Sequence, residues 1–156
     1  MKFLKLCFLA LLVTTVVVSC AKEYSSEQLR PATGTWQFSN GSLNYSGYLD
    51  TVYQTMGVGS NVLYILGKTD DGSQYFQLKL YGNSFAPGTY YASQYQNSFS
   101  YSLPAKTIYT SNAQIGEFVV NLTVLDSAKI QGTFSGTAKD SANNLIQITN
   151  GKFTTY

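Results

Sequence analysis

The sequence predicts an all-β domain, an antiparallel β-sandwich of about eight to ten short strands. Three observations lead there. Apolar and polar residues alternate with a period of two through most of the chain after Gly34. Turn-forming groups punctuate that alternation at short intervals: Asn40-Gly41-Ser42, Asp70-Asp71-Gly72-Ser73, Pro87-Gly88, Asp126-Ser127 and Asp140 to Asn144. No window carries the period of an amphipathic helix. A closed barrel satisfies the same pattern and is the alternative.

The strands follow in order. Trp36 and Phe38 share one face of the first, with Gln37 and Ser39 opposite. Leu43 to Leu49 resumes an extended run after the first turn. Asn61 to Lys68 (NVLYILGK) is apolar on both faces and reads as a central strand. Tyr75 to Tyr81 alternates cleanly, with Phe76, Leu78 and Leu80 inward and Tyr75, Gln77, Lys79 and Tyr81 outward. A short strand at Thr89 to Ala92 follows Pro87-Gly88. Ser93 to Ser111 is rich in Tyr, Ser, Gln and Asn, contains Pro104, and holds one or two short strands around Phe99 and Ile108.

The last third is the most regular. Phe118, Val120, Leu122 and Val124 share one face, as do Ile130, Gly132, Phe134, Gly136 and Ala138. In the closing segment, Leu145 to Tyr156, Ile146 and Ile148 share a parity that Phe153 breaks. A β-bulge at Asn150-Gly151 restores Phe153 to the core face. A tight terminal hairpin is the alternative.

The N-terminus carries a different signal. Lys2 and Lys5 form a positive n-region, and Leu6 to Val18 is an apolar run of about 13 residues, a signal h-region in length. A bilayer span needs about 20. The run ends at Ser19-Cys20, a small residue before a cysteine, which is the pattern a lipoprotein signal peptidase reads. Residues 1–19 are therefore expected to be a lipoprotein signal peptide. Cys20 is the expected lipidation site, bearing diacylglycerol and palmitate-type acyl chains. Residues 20–33 are the lipidated tether and 34–156 a single β-domain. Cys7 leaves with the signal, so the mature chain has no free thiol and no disulfide. The expected location is the bacterial outer membrane, lipid-anchored in the cell envelope.

Composition narrows the function. Lys and Arg number 10 and Asp and Glu 8; removing Lys2 and Lys5 with the signal leaves the two signs equal. A neutral mature surface argues against nucleic acid as a partner. Histidine is absent, and with it and a usable thiol go the commonest catalytic and metal-binding groups. No cofactor and no metal is expected.

The acids beyond the tether are Asp50, Asp70, Asp71, Glu117, Asp126 and Asp140. Four of them lie in turns, where Asp caps its own backbone. A carboxylate-dependent hydrolase needs two acids facing one cleft, and no spacing here demands it; the chain is read as not an enzyme. Asp70-Asp71-Gly72-Ser73 offers oxygen ligands without the fuller run of a calcium loop, and reads as a hairpin turn.

The aromatics are the better candidates. Tyr90, Tyr91, Tyr95, Phe99 and Tyr101 cluster in the irregular middle, and Tyr75 and Tyr81 extend that patch from an outward face. Tyrosine offers a flat apolar face and a polar tip, which suits glycan stacking or protein contact.

Two segments carry a resemblance. Gly132-Thr133-Phe134-Ser135-Gly136 and Ile148-Thr149-Asn150-Gly151-Lys152-Phe153, with Gly88-Thr89-Tyr90 upstream, resemble a family of small uncharacterised β-rich lipoproteins common in the Bacteroidota. The likeness runs roughly from Gly34 to the end and is strongest after Tyr109. It implies an extracytoplasmic β-rich lipoprotein and carries no assigned activity. Gly34-Thr35-Trp36 is similar to the G-x-W of lipocalin-like barrels. Asp50-Thr51-Val52, Asp126-Ser127-Ala128 and Asp140-Ser141-Ala142 each resemble the O-glycosylation acceptor of Bacteroidota envelope proteins, which marks Thr51, Ser127 and Ser141.

Together these features describe an envelope lipoprotein that works as a non-catalytic binding or scaffolding module for glycan or protein. A lipocalin-like carrier of a small apolar ligand is the alternative.

Overall fold

The computed structural model describes residues 30–57, 60–94 and 96–156, with side chains from Gly34 onward. The expected signal, Cys20, the tether up to residue 29, and Tyr95 lie outside the described residues.

Ten strands follow one another: β1 (Arg30–Asn40), β2 (Leu43–Met56), β3 (Asn61–Lys68), β4 (Tyr75–Gly82), β5 (Gly88–Tyr91), β6 (Ser98–Leu103), β7 (Lys106–Ser111), β8 (Phe118–Leu125), β9 (Ile130–Asp140) and β10 (Leu145–Thr155). β1 begins at Arg30 rather than Gly34, because Arg30 and Pro31 pair with Val52 and Thr51 of β2. The end of the expected tether is thus strand.

Eight strands close a ring in the order β10–β1–β2–β3–β4–β6–β7–β9 and back to β10, all antiparallel. The all-β antiparallel class holds, and the preferred sandwich gives way to the closed barrel. Alternation is the same in both, since each buries one face of every strand. Closure is decided by the pairing of the first strand with the last, Gly34↔Thr155 and Trp36↔Phe153, which alternation does not encode.

One edge of β9 serves two neighbours. Its Ile130–Gly136 half pairs with β8, and its Lys139–Asp140 tip pairs with Thr110 and Tyr109 of β7. β6 and β7 therefore wall the distal half, where the β1–β2 and β3–β4 turns lie. β8 and β5 wall the proximal half, where β1 begins. The side chain of Asn97 joins β4 to β5 there. Its Oδ1 accepts from the Tyr81 N–H at 2.7 Å, and its Nδ2 donates to the Tyr91 carbonyl at 2.9 Å. Asn97 is buried, so both polar ends are satisfied without water.

The interior is filled with rings. Trp36 stacks on Phe76 at 4.8 Å, Phe38 on Tyr45 at 4.8 Å and Phe99 on Phe118 at 5.1 Å, while Phe134 bridges Phe76, Phe99 and Phe153. Each fully buried ring contributes about 1.5–3 kcal/mol relative to exposure. Glycines make room for them. Gly132 faces Phe153 and Gly151 faces Phe134 across the β9–β10 ladder, and a Cβ at either would meet the opposing ring at 2.5 Å.

The terminal bulge forms at the expected place. The register of β10 shifts between Ile148 and Gly151, with Asn150 at φ 54°, and Phe153 points into the core. β3 lies between β2 and β4, as expected of a central strand. Leu63, Ile65 and Gly67 face inward, while Val62, Tyr64 and Leu66 lie half-buried on the outer face among neighbouring outward side chains.

Candidate binding groove on the outer face of the barrel

Cross-strand register turns the outward residues of β2, β3, β4 and β6 into rows. The distal row reads Tyr48, Lys68, Tyr75, Ser102; the next reads Thr51, Leu66, Gln77, Ser100; the third reads Tyr53, Tyr64, Lys79, Ser98. Asp50 is the extra residue where the β2–β3 register shifts between Leu49 and Thr51. A bulge re-aims side chains, and here it turns Asp50 toward Lys68. The Lys68 Nζ lies 2.8 Å from the Asp50 carboxylate, which raises the Lys68 pKa.

The first two rows border a groove of about 330 Å³ whose lining includes Asp50, Leu66, Lys68, Tyr75, Gln77, Ser100 and Ser102. Tyr48 and Tyr75 flank Lys68 and are 41% and 39% exposed, among the most exposed aromatic side chains of the barrel wall. The Lys68 Nζ stands 5.9 Å from the Tyr75 ring centre. The Ser100 hydroxyl donates to Gln77 Oε1 at 3.3 Å. The groove, with Tyr48 beside it, thus offers aromatic rings next to a carboxylate, an ammonium, a carboxamide and two hydroxyls.

Its floor is held from inside. The Trp36 indole N–H is shared between the carbonyls of Tyr48 and Lys68, at 3.1 and 3.2 Å. That contact fixes the backbone of the distal row from the core side.

The tyrosine-rich middle does not form the expected patch. Phe99 and Tyr101 are each 1% exposed and point into the barrel. The strands expected around Phe99 and Ile108 form as β6 and β7, and in β6 the two rings alternate with Ser98, Ser100 and Ser102, which take the outer face. The Tyr90 hydroxyl bonds the Ala86 backbone and closes the β4–β5 loop on itself. Tyr91 remains exposed, and Tyr95 lies outside the described residues. Of the aromatics proposed for the surface, Tyr75 and Tyr81 stand outward as expected. Tyr48, Tyr53 and Tyr64 join them only through register, which parity alone does not supply.

The acids sit apart. Asp71 Oδ1 accepts from the Thr69 and Ser73 hydroxyls and the Ser73 N–H, and these bonds, Thr69 first, lower its pKa to about 2. Asp126 accepts from the amides of Ala128 and Lys129. Asp140 accepts from Asn144 and Ala142, which lowers its pKa. Glu117 is exposed beside β8. The groove holds one carboxylate, Asp50, and a smaller hollow at the proximal end holds one, Asp126. Among the described residues no three metal-ligating side chains converge. Ser127 and Ser141 are exposed on turns at opposite ends of the barrel, and Thr51 is half-buried within β2.

Residues 51–156 match the model of a family described as a domain of unknown function, DUF6252. The chain belongs to that family. The matched region of this DUF6252 chain starts within β2, so it contains Lys68, Tyr75, Lys79 and Tyr81 but neither Trp36 nor Tyr48. No curated protein and no solved structure matches the chain.

Proposed function

We propose that this DUF6252 protein is a lipid-anchored, non-catalytic module that binds glycan chains at an outer-membrane surface. One observation carries the reading: Tyr48 and Tyr75 stand exposed on either side of Lys68 in the distal row, beside an open groove that Asp50, Lys68 and Tyr75 line. A sugar has an apolar face of C–H bonds and a rim of hydroxyls that both donate and accept. Tyrosine rings complement the first, and Asp50, Lys68, Gln77 and the serines complement the second.

The anchor is consistent with that placement. A lipid on Cys20 would attach the barrel through β1, whose start lies at the proximal end, while the Tyr48–Tyr75 row stands toward the distal turns. A shallow site of modest affinity is useful on such an anchor, since tethering raises the local concentration of module and ligand. The carrier alternative puts an apolar ligand inside the ring, and stacked aromatic side chains occupy that space. That packing favours binding on the outside.

A glycan array read against Tyr75→Ala and Tyr48→Ala tests the reading. Loss of signal in both, with the circular-dichroism spectrum and melting point retained, is the expected result. A signal untouched by both, or transferred to an envelope protein in cross-linking, overturns it. Cys20→Ala should release the protein from the membrane fraction, and mass spectrometry of the intact mature chain should show diacylglycerol on Cys20.

A further inference from the structure

We propose that the same face carries a second subsite, one that selects a sugar carboxylate, built by Lys79 between Tyr64 and Tyr81. This rests on the glycan reading and names the class of chain the face accepts.

The geometry is distinct from that of the first groove. Tyr53 and Tyr64 are directly opposed on β2 and β3 and stack with ring centres 4.7 Å apart and planes 12° from parallel. Lys79 is opposite Tyr64 on β4, and its Nζ lies 5.4 Å from the Tyr64 ring centre and 4.9 Å from that of Tyr81. Two ring quadrupoles hold the ammonium in place. The Tyr81 hydroxyl is the main cause of a raised Lys79 pKa, so the side chain stays charged at physiological pH.

Charge separates the two lysines of this face. Lys68 is neutralised by Asp50. Among the described residues Lys79 meets no carboxylate within ion-pair distance. An aromatic-flanked ammonium with no counter-charge has donors to spare, and a ligand carboxylate would gain charge-assisted hydrogen bonds there. The neighbouring rings would take the apolar face of the same sugar. Tyr75, Gln77, Lys79 and Tyr81 are successive outward residues of β4. At a rise of roughly 3.4 Å per residue, Lys79 stands about 14 Å along the strand from Tyr75. One extended chain of several sugars can therefore engage both places, its acidic residue at Lys79.

The test is isothermal titration of the full-length mature protein with hexagalacturonate and with its fully methyl-esterified form, which has the same length and linkage but no charge. Hexamers of guluronate and hyaluronan, each with its own methyl ester, extend the panel to other uronic acids, and a polyglutamate peptide serves as a non-sugar carboxylate. At least one acid hexamer should bind about tenfold more tightly than its own ester at low salt. Lys79→Gln should bring acid and ester to equal affinity. Tyr75→Ala should weaken both forms together. Equal binding of acid and ester by the unaltered protein, or a preference that survives Lys79→Gln, overturns the acidic subsite and leaves the glycan reading standing. Polyglutamate binding as tight as the hexamers overturns selection of a sugar. If neither these hexamers nor any neutral glycan binds, the glycan reading falls and the subsite with it.

Discussion

The Trp36 indole lies flat beneath Gly67, so close that a Cβ on Gly67 would stand 2.5 Å from both Cδ1 and Nε1 of the ring. The ring is thereby free to reach past the β2–β3 ladder and bond the carbonyls of Tyr48 and Lys68. Core packing and the outer groove share this one contact.

Gly67→Ala should therefore act on both. A methyl there forces the indole down into a filled interior, and overpacking of this kind costs about 1–3 kcal/mol. Displacing the indole also frees the backbone under Lys68. Urea unfolding should show the loss of stability, and glycan affinity should drop even at temperatures where the variant is fully folded. Full retention of both quantities would separate Trp36 from the groove.

Asn97 makes a second prediction. Its side chain bridges Tyr81 and Tyr91 where β4 and β5 have no ladder of their own. Asn97→Ala should cost about 1–3 kcal/mol for each buried group left without a partner. Hydrogen exchange localises the effect: the Tyr81 amide should lose protection, while Leu78, paired within the β4–β6 ladder, should keep it. Unchanged protection at Tyr81 would show that the seam closes without Asn97.

The distal interior holds a tyrosine cluster that sets the response to alkali. The Tyr45 and Tyr109 hydroxyls lie 2.7 Å apart, Asn40 donates to Tyr109, and the Tyr101 hydroxyl bonds Gln74. Burial pushes the Tyr101 pKa up to about 12 and raises that of Tyr45 as well. An unfolded tyrosine ionises near pH 10. Between about 10 and 12 the unfolded chain has released protons that the native barrel retains, so stability falls as pH rises through that window and is intact below it. Tyr101→Phe should flatten the fall. Denaturation midpoints from pH 8 to 12, with tyrosinate absorbance recorded alongside, would show this; parallel curves for the two proteins would exclude it.

Much of this fold was legible from alternation. The inward sets on β4 and β9 are those that parity dictates, because each strand has one wet face and one dry one. On β8 parity holds through Leu122, and the register shift before Val124 brings Leu125 against the core in place of the expected Val124. Closure of the ring was not, since nothing in the order of side chains says that Trp36 will lie beside Phe153. The site divided in the same way. Outward Tyr75 and Tyr81 followed from parity, but their meeting with Tyr48, Lys68 and Tyr64 depends on register, a long-range property. Phe99 and Tyr101 depart from the expected surface patch for a local reason. Their flanking Ser, Gln and Asn resemble loop composition, and only the serines between them mark the strand.

At the Asn150 bulge local sequence does fix long-range placement. Two residues of β10, Thr149 and Asn150, stand where β9 supplies only Ser135. The extra residue restores Phe153 to the core after Ile148. Asn150 takes a left-handed conformation at φ 54°, which asparagine and glycine accept more readily than other residues. Asn150→Gly should therefore be tolerated and Asn150→Ala should cost about 1 kcal/mol. Deleting Asn150 removes the extra residue, so that Ile148 and Phe153 stand four apart and share a face in a regular ladder opposite Gly136, Ser135 and Phe134. The deletion variant should therefore melt cooperatively with Phe153 still buried, as both point variants should. Inserting a second residue after Asn150 has the opposite effect. It turns Phe153 outward and Lys152 toward the interior, since a one-residue slip inverts every later side chain, and it should abolish the cooperative melt. An insertion variant that melts like the unaltered protein would mean that the β1–β10 closure, and not the bulge, sets the register of the last strand.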